Sequence, residues 1–148
     1  LLKTIFEIKK DYREILDNLS KFPLSICHGD FKSSNMLFEE SDIVLFDWQY
    51  VQFNKGVSDI VFLMVECMDF DKELFNKIKE YYFNLQNKRF GISRDQYEFD
   101  FKNALSAFPF LVMVWFNSED KEDLEVSDYK DSPEFFRKNY LKCLEEWI

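Results

Sequence analysis

The chain has 148 residues, 47% of them hydrophobic and only three each Gly and Pro, which is enough apolar material for one globular core and excludes a largely disordered chain. A formal net charge of −9 argues against nucleic acid or an anionic membrane surface as partner, since both select basic patches, and is compatible with a cationic substrate. Three cysteines, Cys27, Cys67 and Cys143, are odd in number and far apart, so neither a disulfide framework nor a thiolate metal site is expected, and a reduced, cytoplasmic chain is.

Taken in order, the chain opens on LLKTIFEIKK, which lacks the pattern of a signal peptide and an initiator Met, so residues upstream are expected. Leu2, Ile5, Ile8, Tyr12, Ile15, Leu16 and Leu19 recur at helical spacing and predict an amphipathic helix ending near Ser20, with Pro23 forbidding its continuation. Two short apolar runs, Leu24 to Cys27 and Asn35 to Phe38, flank the polar segment HGDFKSS, and Ile43 to Phe46 completes a hairpin with Met36 to Phe38 through a turn at Glu39 to Asp42. WQYVQFNKG reads as loop.

Ser58 or Asp59 is placed to cap a buried helix over Ile60 to Met68. A third helix is expected from Asp71 to about Asn87, with Leu74, Ile78, Tyr81 or Tyr82, and Leu85 inward. Ser93 and Gln96 resemble a capping box for a helix to about Phe116, which Pro109 should kink or divide. Residues 117–131 are acidic and loop-like, and Ser132-Pro133-Glu134 starts a last helix with Phe136, Tyr140, Cys143, Leu144 and Trp147 as its apolar stripe. The 18 phenylalanines suit a packed, mostly helical body or, alternatively, a pocket for an apolar or cationic ligand. No apolar run is long and charge-free enough to span a bilayer.

The chemistry concentrates in CHGDFKSSNMLFEESDIVLFD, Cys27 to Asp47. Phosphoryl transfer asks a protein to orient the nucleophile and neutralise phosphate charge. Asp30 can accept the proton of a substrate hydroxyl, while Asn35 and Asp47 supply hard oxygen ligands suited to a magnesium held mainly through phosphates. Two carboxylates converging on one site repel unless a cation joins them, so the metal is part of the reading. A Cys27–His28 nucleophile pair is disfavoured because neighbours on an extended segment point to opposite sides.

His28-Gly29-Asp30-Phe31-Lys32-Ser33-Ser34-Asn35 resembles the catalytic loop of the aminoglycoside phosphotransferase and choline kinase superfamily, especially its ecdysteroid-kinase-like (CHK kinase-like) branch. Leu45-Phe46-Asp47-Trp48-Gln49 is similar to that superfamily's metal-binding segment, and Gly56 to Leu63 to the helix start that follows. The resemblance implies an α+β fold: the mostly helical C-terminal lobe of a protein-kinase-like enzyme across residues 1–148, with a short β-hairpin at the site. It implies Asp30 as catalytic base, Asn35 and Asp47 as Mg²⁺ ligands in an ATP site, and His28 as a loop support. Asp59 has the position of an aspartate that braces the loop through backbone N–H groups, or is an ordinary helix cap. Lys32 either reaches the transferring phosphate or is a solvated loop lysine.

Trp48-Gln49 replaces the Phe-Gly of protein kinases, which fits the small-molecule branch and weakens a protein-kinase reading. No Gly-rich phosphate loop and no strand lysine with a helix glutamate is found, so the N-terminal nucleotide lobe is expected elsewhere in the protein, leaving an apolar face exposed and nucleotide binding weak. Candidates for acceptor contacts are Trp115, Phe116, Glu119, Asp120, Glu122, Asp123 and Trp147, unless the acidic segment is simply a solvated loop. The expected activity is an ATP- and Mg²⁺-dependent kinase for a small-molecule hydroxyl; the alternative is a non-catalytic kinase-like binding module.

Overall fold

The computed structural model describes residues 2–40, 42–118 and 133–148. Helix α1 (Leu2–Leu19) has the expected bounds and buries Ile15 and Leu19. It lies along α4 (Arg94–Ser118), where the Tyr12 and Phe110 rings are 4.5 Å apart and Asn18 Nδ2 donates to Asn103 Oδ1 at 3.3 Å.

The expected hairpin forms: β2 (Met36–Phe38) pairs antiparallel with β3 (Ile43–Leu45), Met36 opposite Leu45, and Glu39 N–H donates to Asp42 O at 2.9 Å across the turn. A second pair forms inside the stretch whose composition reads as loop. After a short 3-10 turn at Trp48–Tyr50, β4 (Gln52–Asn54) pairs antiparallel with β1 (Ser25–Cys27), Ile26 opposite Phe53. Gln52-Phe53-Asn54 turns its one apolar residue outward, 75% exposed, so its pattern carries no core-facing signal. Leu37, Phe38, Ile43 and Val44 of the hairpin are exposed as well, which leaves apolar outer surface on both strand pairs.

Helix α2 (Val57–Cys67) is central, with Val57, Val61, Met64 and Val65 buried at helical spacing against α4 and α5 (Pro133–Trp147). It begins earlier than expected and neither Ser58 nor Asp59 caps it; Gly56 stands at the cap without a side-chain bond. In α3 (Lys72–Phe90) the Asp71 carboxylate accepts Leu74 N–H at 3.0 Å, and Gly91, with φ 68°, ends the helix. Its inward face differs from expectation: Phe75 and Lys79 are buried with Ile78 and Tyr82 packed beside them, whereas Leu74, Tyr81 and Leu85 are exposed. Lys79 Nζ lies 4.0 Å above the Phe101 ring and 3.1 Å from Glu98, a burial that hydropathy patterning counts as polar. Burial pushes its ammonium below the usual lysine range, against the pull of Glu98.

In α4 the Ser93 hydroxyl accepts Gln96 N–H at 3.2 Å, but the Gln96 amide turns to Asp100, so the box is half formed. Pro109 is buried inside α4 and does not divide it. On α5, Tyr140, Cys143 and Leu144 are buried as expected, and Phe135 joins them; the side chain of Phe136 lies outside the described residues. Asn139 ties α5 to the end of α2, its amide donating to Val65 O at 3.2 Å and to Met68 O, and its oxygen accepting Phe70 N–H at 3.1 Å. The expected α+β class, mostly helical with small antiparallel pairs, is what the chain adopts. Among the described residues, no helix is long and apolar enough to cross a membrane.

Candidate functional site

The site is built where β1, the hairpin and the start of α2 meet. Alternation along β1 sends Cys27 inward, its thiol donating to Lys55 O at 3.5 Å. Burial, with the Asp59 charge adding and the Asn54 backbone opposing, pushes this thiol up to about 12, so it is no nucleophile at neutral pH.

The chain then turns sharply. Gly29 has φ 83°, and a Cβ there would sit 2.2 Å from Tyr50 O, so glycine is required both by backbone conformation and by space. Asp59, in the first turn of α2, accepts His28 N–H at 2.7 Å on one oxygen and Gly29 N–H at 3.0 Å on the other. This is the loop brace expected from its position. Burial raises the Asp59 carboxyl above the usual aspartate range, the two backbone donors opposing it.

Asp30 is buried at 5% exposure. Its Oδ2 accepts Asn35 Nδ2 at 2.9 Å and lies 3.2 Å from Lys32 Nζ. Asn35 closes the short 3-10 turn Ser33–Asn35, and its Nδ2 also donates to Asp30 O at 2.9 Å. Both amide hydrogens of Asn35 thus go to Asp30, and Oδ1 is the atom left to face a cation.

His28 joins this loop to the hairpin. Its Nδ1 accepts Asp30 N–H at 3.3 Å, which assigns the proton to Nε2, and Nε2 donates to Phe46 O at 2.8 Å. Phe46 N–H in turn donates to Asn35 O at 3.2 Å. Phe46, the residue before Asp47, is thus held through both its N–H and its carbonyl. Trp48, whose ring centroid lies 4.7 Å from that of His28, donates Nε1–H to Leu45 O at 3.0 Å, and Phe31 approaches His28 edge-on at 6.2 Å.

Asp47 is exposed and takes φ 61°, ψ 57°, the left-handed region. Gln49 Nε2 lies 3.4 Å from its Oδ2. Asn35 and Asp47 stand at the same end of the hairpin, just outside its strands and linked by the Phe46–Asn35 bond. Asn35 Oδ1 and the Asp47 carboxylate are hard oxygen donors of the kind magnesium accepts, an ion that takes one or two protein oxygens and fills the rest of its octahedron from phosphate and water. Among the described residues, no group of three or more His, Cys, Asp or Glu side chains gathers as a metal cage.

The structure therefore brings His28, Asp30, Lys32, Asn35 and Asp59 into one bonded assembly around one loop, with Asp47 next in sequence to Phe46, where the bonds end, and its own side chain meeting Gln49. It places Trp147 elsewhere, in an aromatic cluster with Phe70, Phe75 and Phe101 at centroid distances of 6.0, 6.1 and 5.6 Å. The side chain of Trp115 and all of Glu119, with the acidic segment behind it, lie outside the described residues. Three contributions escape a reading of the sequence: the Phe46 carbonyl, the Trp48 ring against His28, and a buried Lys55–Asp100 pair. A backbone acceptor leaves no trace in side-chain type, and Lys55 looks like any loop lysine; only its place beside Gly56 marks it.

A family model described as APH, Phosphotransferase enzyme family, matches residues 1–94, a span that contains every member of the bonded assembly. Neither the comparison with curated proteins nor that with solved structures returns a match.

Proposed function

Because the chain belongs to the phosphotransferase enzyme family, which matches it over residues 1–94 of 148, we propose that it carries the reaction loop of an ATP- and Mg²⁺-dependent kinase whose acceptor is a small-molecule hydroxyl. The observation supporting this most is the bonding of Asp30: a buried carboxylate with one oxygen fixed by Asn35 and Lys32, and Oδ1 outside those bonds. In the proposal Oδ1 accepts the hydrogen of the acceptor hydroxyl and takes its proton, the carboxylate being oriented before substrate arrives. Asn35 Oδ1 and the Asp47 carboxylate would hold the metal, which when bound with nucleotide neutralises charge on the phosphate oxygens. Lys32 keeps Asp30 in place and lies close enough to that carboxylate to offset phosphate charge beside it. His28 and Asp59 support the loop without touching substrate.

The Asp47-Trp48-Gln49 segment favours a small-molecule kinase over a protein kinase, and the His28–Asn35 loop favours the ecdysteroid-kinase-like branch; we place the acceptor against the C-terminal helices near Trp115 and Glu119. A cation such as choline or an aminoglycoside, or a sterol-like alcohol, would suit aromatics with or without carboxylates. We assign the chain to the C-terminal lobe. The exposed apolar residues of the hairpin then face a nucleotide lobe from another segment of a cytoplasmic protein.

The test is Asp30→Asn in the protein carrying both lobes, scored as ATP-dependent phosphorylation of a panel of alcohols. Turnover should fall by about 10²–10⁴ with little change in KM. A wild-type rate in that variant would refute the assignment. With Gly29, Gly56 and Gly91 as its only glycines, the chain itself contains no Gly-rich phosphate loop, which favours a non-catalytic binding module as the second reading. Wild-type protein that turns over no alcohol but binds one with the same affinity as Asp30→Asn would select it.

A further inference from the structure

We propose that Lys55 is a positioning residue for the Asp30 loop and that its ion pair with Asp100 is the anchor through which helix α4 sets that loop in place. The importance of the loop rests on the kinase reading above; the anchor itself is argued from geometry alone.

Lys55 Nζ lies 3.1 Å from Asp100 Oδ2, and the two side chains are 4% and 6% exposed. The other Asp100 oxygen accepts Gln96 Nε2 at 2.9 Å. Removing two ions from water is costly, and an apolar pair of similar volume commonly serves a fold as well or better, so a buried pair is poor evidence for stability as its purpose. What it does supply is a fixed separation and direction.

The position of Lys55 gives that direction a use. It lies between β4 and α2, and its carbonyl accepts Ser58 N–H at 2.8 Å and the Cys27 thiol at 3.5 Å. The first turn of α2 and the end of β1 therefore meet at one backbone oxygen. Asp59, next after Ser58, holds the His28 and Gly29 amides, and His28 follows Cys27. From His28 the bonds continue to Asp30 N–H and to Phe46 O, the residue before Asp47. Neighbouring Gly56 leaves no room for a side chain, since a Cβ there would come within 2.1 Å of the Tyr82 hydroxyl. Asp100 thus reaches both halves of the site through Lys55, Asp59 and His28. A displacement on the order of 1 Å at a reacting group costs about 10²-fold in rate, which is the scale on which such an anchor matters.

The experiment compares Lys55→Met with the double variant Lys55→Met/Asp100→Leu, reading urea unfolding, amide exchange at His28 and Gly29 relative to Phe75 and Phe101, and the ¹⁵N shifts of the His28 ring. The double variant should unfold near the wild-type midpoint while its His28 and Gly29 amides exchange at least tenfold faster relative to the core and the ring loses its fixed Nε2–H signature. Restoration of both stability and loop protection in the double variant would overturn the proposal. If the double variant does not fold, Lys55→Met alone should show the same tenfold ratio, and an unchanged ratio counts against the anchor. Failure of both variants to fold also overturns it, because the pair then serves the fold rather than the loop. None of these readouts requires turnover, so the anchor and the kinase reading can fail separately.

Discussion

Two glycines with left-handed backbones allow the close approach inside the site to be weighed against an internal control. Gly29 and Gly91 have φ 83° and 68°, both positive, so an alanine at either meets a left-handed backbone penalty of about 1 kcal/mol. Around Gly91 a Cβ would meet nothing within 4 Å. At Gly29 it would lie 2.2 Å from Tyr50 O and 2.9 Å from Tyr50 Cβ, against ordinary contact at 3.4–4 Å. The nearest atom is backbone, so relief requires the Trp48–Tyr50 turn to move, and overpacking of this kind adds about 1–3 kcal/mol. Gly91→Ala should therefore cost about 1 kcal/mol and Gly29→Ala about 2–4 kcal/mol, a large fraction of the stability of a domain this size. Equilibrium urea denaturation followed by tryptophan fluorescence measures both, with Trp48 reporting on the turn. Equal costs for the two variants, within about 0.5 kcal/mol, would show that the loop gives way freely and would refute the close packing of Gly29 on Tyr50.

Further outcomes are expected at Asp59 and at Asn139. Asp59→Ala leaves the His28 and Gly29 amides without their acceptor, at a cost of about 1–3 kcal/mol for each that stays dry, measurable by urea denaturation. Burial holds the Asp59 carboxyl above its ordinary value of 3.8, so the native state binds the proton more tightly than the unfolded chain. The contribution of this group is therefore full below 3.8 and lost as pH rises through the raised value, so stability relative to Asp59→Asn should decline across that window. A difference that is flat in pH would contradict the assignment. Asn139→Ala removes the link between α5 and the end of α2, for about 2–4 kcal/mol by thermal or urea unfolding. Asn139→Asp should not rescue it, because a carboxylate would face the Val65 and Met68 carbonyls.

Local signals are the legible ones. The stripe from Leu2 to Leu19 marks the bounds of α1, and the two apolar runs around Glu39 to Asp42 mark the hairpin, because both are settled by residues near in sequence. The spacing of Asp30, Asn35 and Asp47 is readable for the same reason. The β1–β4 pair is not, since its partners are 25 or more residues apart and Phe53 points outward. The inward face of α3 departs from its pattern because Lys79 is buried beneath Glu98 and over Phe101, and patterning does not count a lysine as core. Asp59 looks equally like a cap and a brace until the loop it holds stands next to it; the choice between them depends on a tertiary contact.

The left-handed backbone at Asp47 bears on how this chain could lose its chemistry. Glycine relaxes that conformation, asparagine shares the tolerance of aspartate for it, and a β-branched or bulky residue would strain the loop. A protein kept solely as a scaffold would gain from Asp47→Gly, shedding the strain while keeping the turn. Instead the position holds the one side chain that accepts an unfavourable backbone and still presents a charged oxygen pair. Asp47→Gly would therefore separate the two, relaxing the turn while removing the carboxylate.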